Sequence, residues 1–469
     1  MPSQFQWLFL LNPLMGIFVT GLSARIFMVS LPTLAHGLQT DILGVTWALI
    51  SFQIAGICGS VVFGRLGDIY GHRKIYGLGV ILITAGSFLC GISQNILQMI
   101  VFRFLQGLGG AVIQSAGRAL ALEAVPPGSE GKAQGFMATA HHFGFFLGPP
   151  LGGFIIEMID WRGIFFLVVP VGLAAIVLTY RRASVHSEST IPSRRQTVDY
   201  LGTFLFVLLT AIITLLLDHK AGQVLGAGNR GLLALVFAGT IWGFVAHENK
   251  IQNPMINFSL FRIRTFTLSV IGLMAMNMAH GLTGFVMPFY LQEILHISPT
   301  FMGLIFLIPS IFTITLAPVG GHITDRIGPR TPLIIGIILL MIGLGIGVFL
   351  KSGSHWIFPA ASLGITGIAG AFFNTPVQAA IISSVTKEQR GLAAGIINTI
   401  FGLGHLVGVS AGKFLLTIAF QAYSGIAEAI PTSENPLAFV FAMNVTYLAS
   451  LAVCLVALST SLMTGKVKR

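Results

Sequence analysis

Apolar residues run along this chain in long unbroken stretches, and the polar residues collect in the short intervals between them. Fourteen such stretches can be placed, near 13–35, 43–64, 75–94, 97–124, 133–157, 162–180, 199–218, 229–248, 265–293, 299–320, 331–350, 356–382, 392–420 and 437–463. Each is about the length of 20 residues or more that a helix needs to cross a bilayer. Inside hydrocarbon a segment must satisfy its own backbone hydrogen bonds, so the pattern predicts helices throughout. The expected fold is an all-α membrane protein of fourteen spans.

Composition sharpens this. Of 469 residues, 54% are hydrophobic and 9% charged, against about 25% charged in an ordinary soluble chain; mean hydropathy is +0.87. At roughly 20 residues per crossing, fourteen crossings take about 280 residues. Short connections remain, which excludes a tethered enzyme domain. Cys58, Cys90 and Cys454 all lie within apolar stretches, so neither a disulfide framework nor a thiolate metal site is expected, and no cofactor is implied.

The net charge of +11 would suit a nucleic acid only if the basic residues formed one exposed patch. Instead they alternate by connection. With the N-terminus inside, the inner connections and tail hold Arg65, Arg73, Lys74, Lys132, Arg181, Arg182, Arg194, Arg195, Lys250, Arg262, Arg264, Arg326, Arg330, Lys387, Arg390, Lys466, Lys468 and Arg469. The outer ones hold Arg162, Lys220, Arg230 and Lys351. This asymmetry predicts both termini on the cytoplasmic side of a cytoplasmic (inner) membrane. The first stretch lacks a basic flank and a small-residue cleavage site, so it reads as a retained span. The expected partners are the lipid bilayer, a small-molecule substrate and protons, with no nucleic acid, and a monomer suffices.

The chain also repeats itself. GKAQGFMATAHHFGFFLGPPLGGF from Gly131 aligns with GLAAGIINTIFGLGHLVGVSAGKF from Gly391, and eight of 24 positions are identical, Gly131, Gly135, Gly144, Gly148 and Gly152 among them. GLGGAVIQS from Gly107 matches GIAGAFFNT from Gly367 at the same offset, and GRLGDIYG from Gly64 matches GHITDRIG from Gly321 at an offset of 257. Each repeat covers six spans, so two spans are left over between them. The expected organisation is a six-helix half over 1–198, a two-helix insert over 199–250 and a second six-helix half over 251–469.

Two parallel six-span halves, with these motifs, resemble the major facilitator superfamily, in which the halves rock about a substrate site near the midplane. The extra pair resembles its fourteen-span drug:proton antiporter branch, the EmrB/QacA type. GRLGDIYGHRK, Gly64 to Lys74, resembles the superfamily's signature loop between spans 2 and 3. Its glycines would form a tight turn that holds Asp68 at the inner edge near Arg65, Arg73 and Lys74, where a carboxylate favours the positive end of a neighbouring helix. The resemblance implies that Gly64, Asp68, Gly71 and Arg73, with Asp325 in the second copy, form a conformational switch. GFFLGPPLGG, with Gly144, Gly148, Pro149 and Gly152, resembles the span 5 motif of antiporters; glycines four apart allow close helix approach and the prolines release carbonyls. RFLQGLGG resembles the span 4 motif whose arginine, here Arg103, is tied to proton movement. WRGIFFLVVP, Trp161 to Pro170, resembles the start of span 6 in that branch.

Span 1 departs from the branch. LSARIFMVSLP carries Ser23 where the family has a protonatable acid, and Arg25 sits close by. An arginine does not titrate in the physiological range, but it can hold an anion. Every Asp and Glu falls in a connection or near a span end, whereas Arg25, Arg103, Arg118 and Lys413 lie deeper. A desolvated cationic cargo would be disfavoured there, so an anionic, zwitterionic or neutral amphipathic substrate is expected. Arg25, His280, Asn277, Gln53, Gln114, Asn374 and Gln378 are the candidate substrate-binding residues. His141, His142 and His405, with His280, fall near span midpoints and can titrate near neutral pH; together with Arg103 and Glu123 they are the candidates for proton coupling. The expected activity is alternating-access export of small amphipathic or anionic compounds, by resemblance in exchange for protons. A lipid, siderophore or metabolite exporter of narrow specificity, not necessarily proton-coupled, is the alternative. A membrane enzyme built on His141 and His142 would need a third ligand or an acid that the spans do not supply.

Overall fold

A computed structural model describes residues 3–125, 130–181, 199–251, 254, 256–386, 389–426 and 428–463, with the side chains of 3–9, 61, 65, 68, 130, 131, 200, 219–228 and 391 outside the description. Among the described residues there is no strand. Fourteen long helices follow in order: α1 (Ser3–Gly37), α2 (Ile42–Tyr70), α3 (His72–Gly91), α4 (Ile96–Glu123), α5 (Glu130–Met158), α6 (Gly163–Arg181), α7 (Tyr200–Leu216), α8 (His219–Glu248), α9 (Arg264–Gly284), α10 (Pro299–Ile327), α11 (Arg330–Val348), α12 (Ile357–Ser383), α13 (Arg390–Ser424) and α14 (Pro436–Met463). Beyond α9 the helix resumes over Met287–Phe289 and ends in a π turn, Tyr290–Ile294. By length and composition twelve helices are able to cross a membrane; α5 and α7 occupy the two remaining predicted spans.

The signature segment is not a loop. Helix α2 runs through Gly64 to Tyr70, and Gly71 alone interrupts the helices, at φ 93°. Its amide donates to the Gly67 carbonyl, as the Gly328 amide, at φ 86°, donates to that of Thr324. These positions are 257 apart in both cases. An L side chain resists that backbone region, so a glycine ends each helix. Of the motif's glycines Gly71 makes the turn, whereas Gly64 and its repeat partner Gly321 are helical, because a single residue at positive φ suffices to redirect the chain.

The chain divides into two compact units, residues 1–40, 44–207 and 298–304 in the first, and 41–43, 208–297 and 305–469 in the second. In the first, α1 packs on α4, α5 and α6, α3 on α4 and α6, and α5 on α4 and α6. In the second, α9 packs on α12, α13 and α14, α11 on α12 and α14, and α13 on α12 and α14. The pairings match one for one, as the sequence repeat requires.

Glycine makes those pairings possible. A side chain at Gly144 would collide with the Phe18 carbonyl on α1, and one at Gly148 would lie 3.0 Å from the Ile26 amide. In the second unit, a β-carbon on Gly404 would stand 2.7 Å from the Met274 carbonyl of α9, and Gly408 and Gly412 would meet those of Met278 and Leu282. Gly107 and Gly367 do the same against Phe52 of α2 and Pro309 of α10. Such close approach is the main source of attraction between helices in lipid, where burial of apolar surface is not available as a drive. The matched pair Gly135 and Gly395, by contrast, has open space where a β-carbon would go.

The turn between α7 and α8 is tied to α13. Lys413, 3% exposed, donates from Nζ to Oδ2 of Asp218, also 3% exposed, across 2.5 Å. The sequence leaves Lys413 as a deep cation with no counter-charge; tertiary packing supplies one from 195 residues away. Two further carboxylates are buried at helix ends. Asp199 caps α7 by accepting from the Gly202 amide at 2.8 Å, and Glu248 accepts from that of Ile256 at 2.9 Å.

Gly408→Leu is expected to lower the melting temperature of the purified protein by overpacking worth about 1–3 kcal/mol, whereas Gly395→Ala leaves it unchanged or raises it, since alanine is the better helix former; a thermal scan in detergent separates them. For the ion pair, Lys413→Met alone should destabilise by about 3–5 kcal/mol because Asp218 is left buried and uncompensated, and Asp218→Leu added to it should recover most of the loss. Recovery absent in the double variant would show that the two side chains are not coupled.

Candidate functional site

A group of polar side chains lies among α1, α4 and α5. Gln114 on α4 is the hub. Its amide nitrogen lies 3.3 Å from Nδ1 of His141 on α5, and its carbonyl accepts from Nη2 of Arg118, one turn further along α4, at 3.2 Å. The His141 ring stands 6.0 Å from that of His142 and 4.7 Å from that of Phe145. Arg25 of α1 lies over the other reach of Phe145, its guanidinium carbon 5.1 Å from the ring centre, and donates to the Met28 sulfur at 3.5 Å. Helical spacing explains the assembly: 141 and 145 share one face of α5, as do 114 and 118 on α4. Gly21 and Gly144, which bring α1 and α5 backbone to backbone, set Arg25 beside them.

No Asp or Glu among the described residues lies within ion-pair distance of Arg25, Arg118, His141 or His142. The cluster thus concentrates positive charge beside aromatic faces. Phe143 adds to these, 6.0 Å from Phe18 and stacked at 6.4 Å on Phe146. The Ser23 hydroxyl is buried with no hydrogen-bond partner, and so is the Gln53 carbonyl oxygen on α2.

Arg103 lies apart from this cluster. It is fully buried between the rings of Phe27 and Phe52, at 4.0 and 4.1 Å from its guanidinium carbon. Nη1 donates to Gln106 at 2.6 Å, and Gln106 in turn donates to the Ser87 hydroxyl at 2.6 Å, while Nε and Nη2 meet no acceptor. Two aromatic faces thus do much of the work that a carboxylate would do for a buried cation. Nothing in the sequence marks Phe27 and Phe52 for this role, since they look like ordinary core residues in one dimension.

The remaining candidates are dispersed. Glu123 ends α4, exposed, and meets Nδ1 of His72 at 2.7 Å. Asn277, buried on α9, donates to the Leu273 carbonyl, and His280 one turn later has Nδ1 2.9 Å from that of Met276. His405 and Asn374 are half-buried and Gln378 exposed. The Asp68 side chain lies outside the described residues; Asp325 is exposed in the last turn of α10. Arg73 donates from Nε, at 3.1 Å, and from Nη2 to the Thr179 carbonyl near the end of α6. Its repeat partner Arg330 donates to the Leu462 carbonyl near the end of α14 at 2.7 Å. Each arginine thus serves the negative end of the last helix in its repeat. That symmetry was available in the sequence, since 73 and 330 differ by the repeat offset.

Residues 14–278 and 268–462 each match the model of the Major Facilitator Superfamily. Similar curated proteins include Riboflavin transporter RibZ of Clostridioides difficile (strain 630), 25% identical over 97% of this chain and 96% of that protein. Multidrug resistance protein Stp of Mycobacterium tuberculosis (strain CDC 1551 / Oshkosh) is 28% identical over 87% of this chain and 75% of its own. Putative multidrug resistance protein MdtD of Salmonella typhi is 27% identical over 88% and 86%. Among solved structures, peptide transporter POT in complex with sulfate superposes with a TM-score of 0.69 over 97% of this chain and 95% of that one, at 14% identity, a likeness of fold alone. With helices of spanning length in two repeat-related units and a family match along most of its length, this chain is an integral membrane transporter, not an enzyme, and belongs to the major facilitator superfamily.

Proposed function

We propose that the protein exports small amphipathic or anionic molecules across the cytoplasmic membrane by alternating access, with both termini cytoplasmic and with protons as the energy source. The observation that carries the choice of cargo is the pair of guanidiniums, Arg25 and Arg118, set beside His141 and His142 with no carboxylate next to them among the described residues. An unpaired cation in low dielectric strongly favours an anion as its partner, and a cationic drug would meet repulsion there. The flanking rings of Phe145, Phe143, Phe146 and Phe18 suit the apolar body of an amphiphile. In this reading Arg25, Gln114 and Gln53 are the cargo contacts of the first unit, and His280, Asn277, Asn374 and Gln378 are the candidate cargo contacts of the second. His141, His142, His405, Arg103 and Glu123 serve proton movement. The glycine-ended turns at Gly71 and Gly328, with Gly64, Asp68, Arg73 and Asp325, and the α5 seam of Gly144, Gly148, Pro149 and Gly152, serve the change of state. The relatives named for multidrug resistance support export of varied compounds.

A second reading is transport of a single metabolite. It is supported by the likeness to a protein named as a riboflavin transporter, which extends over nearly the whole of both chains. Competition decides between the two: one compound that blocks all uptake of labelled cargo marks a narrow carrier, and many unrelated blockers mark a broad one.

In proteoliposomes under an imposed pH gradient, the wild type should move an anionic amphiphile in preference to a lipophilic cation of similar size. Arg25→Ala should cut anion transport by about tenfold or more, the worth of one charged hydrogen bond of about 1.5–3 kcal/mol. Equal pumping of the cation by both proteins would overturn the cargo assignment, and indifference to the pH gradient would remove the proton from the mechanism.

A further inference from the structure

Several features outside the cargo reading could carry chemistry, but the one that reaches furthest is the place of His141. Its Nδ1 lies 3.3 Å from the side-chain amide of Gln114, and that same Gln114 is bonded to Arg118. The groups around it can be named helix by helix. From α1 comes Arg25, from α4 come Gln114 and Arg118, and from α5 itself comes His142. Helix α6, also packed on α5, contains no Asp, Glu or His, and its one charged residue, Arg181, is its last. Of the other charged groups on α4, Arg103 is enclosed by Phe27 and Phe52, and Glu123 is bonded to His72. Among the described residues, the fixed charges that act on His141 are the guanidiniums of Arg25 and Arg118.

We infer that His141 takes up a proton when an anionic, aromatic-bodied cargo binds between Arg25 and Arg118, so that cargo and proton occupy this cluster together and not in turn. The inference rests on the anionic cargo proposed above. Its physical basis is linkage. A proton on the imidazole and a negative charge on the cargo attract across a short gap of low dielectric, so each strengthens the binding of the other by the same factor. In a simple exchanger the proton and the cargo compete for one site, which happens naturally when a cation displaces a proton from a carboxylate. Here the acid of span 1 is replaced by Ser23, the fixed groups are cations, and the sign of the coupling reverses. The proton carried by His141 then travels with the cargo. Any inward proton that drives export is carried elsewhere in the chain, for which the second unit offers His280 and His405. Gln114 is the positioning residue, since its side-chain amide joins the imidazole to Arg118.

The test uses the full-length protein in phosphatidylcholine nanodiscs, with 2-naphthoate as the probe anion. Calorimetric titration is run at one pH in two buffers of different ionisation enthalpy, and then across pH 6 to 8. The wild type is expected to take up a fraction of a proton per naphthoate bound, and its apparent Kd to rise by up to tenfold per pH unit. In His141→Gln both effects should vanish while binding persists; in His355→Gln, a histidine in the connection before α12, both should remain. Proton release, zero uptake by the wild type, or uptake unchanged in His141→Gln would overturn the inference while leaving the anionic cargo intact. Failure of the wild type to bind 2-naphthoate, or binding unaffected in Arg25→Ala, would instead remove the cargo reading and the inference with it. Because the sign of the wild-type uptake is itself decisive, the inference stays refutable even if His141→Gln folds poorly.

Discussion

Helices in a bilayer gain little by hiding apolar surface from one another, because the lipid around them is equally apolar; they adhere where their backbones can come close. In this protein that contact is made by glycines. Gly21 and Gly144 join α1 to α5, while Gly281, Gly404, Gly408 and Gly412 join α9 to α13. The rest of each unit is arranged around these seams, and the polar side chains near them are placed by the same close approach. Arg25 reaches Phe145 because no side chain at Gly144 or Gly148 holds the helices apart.

Charge on the helices is handled in three different ways, two of them buried and one partly open. Arg103 is flanked by two aromatic rings and hydrogen-bonded to a glutamine. Lys413 is neutralised by Asp218, at the cost of desolvating both, which makes the pair strong against loss of one partner and nearly neutral against loss of both. The Arg25, Arg118, His141 and His142 group is left without a counter-charge from the described residues. A transporter gains from that third arrangement only if something else supplies the missing charge for part of its cycle, and this is why the cluster, and neither of the other two, is read as the cargo site.

Repeat symmetry extends below the level of helices. Gly71 and Gly328 end equivalent helices through the same amide contact, and Arg73 and Arg330 reach the last helix of their own repeats. The two repeats differ in their polar residues. Lys413 occurs where the first repeat has Gly153, and His405 where it has Phe145. Symmetric scaffolding with asymmetric polar content is a physically economical way to build two units that must pack alike and yet do different things.

The sequence alone determined the helical class and the repeat, because each depends on local pattern: runs of about 20 apolar residues, and glycines at fixed offsets that can be compared without knowing what they touch. It also determined that Arg25 stands beside a position lacking its family's acid. It could not say that the signature segment is helical up to Gly71, since φ at a single residue is settled by the chain on both sides of it. Nor could it say which charges meet. Asp218 and Lys413 are 195 residues apart, and Phe27 and Phe52 look like any other apolar residues until Arg103 is found between them. Those pairings depend on which helix faces lie against each other, and only tertiary packing decides that.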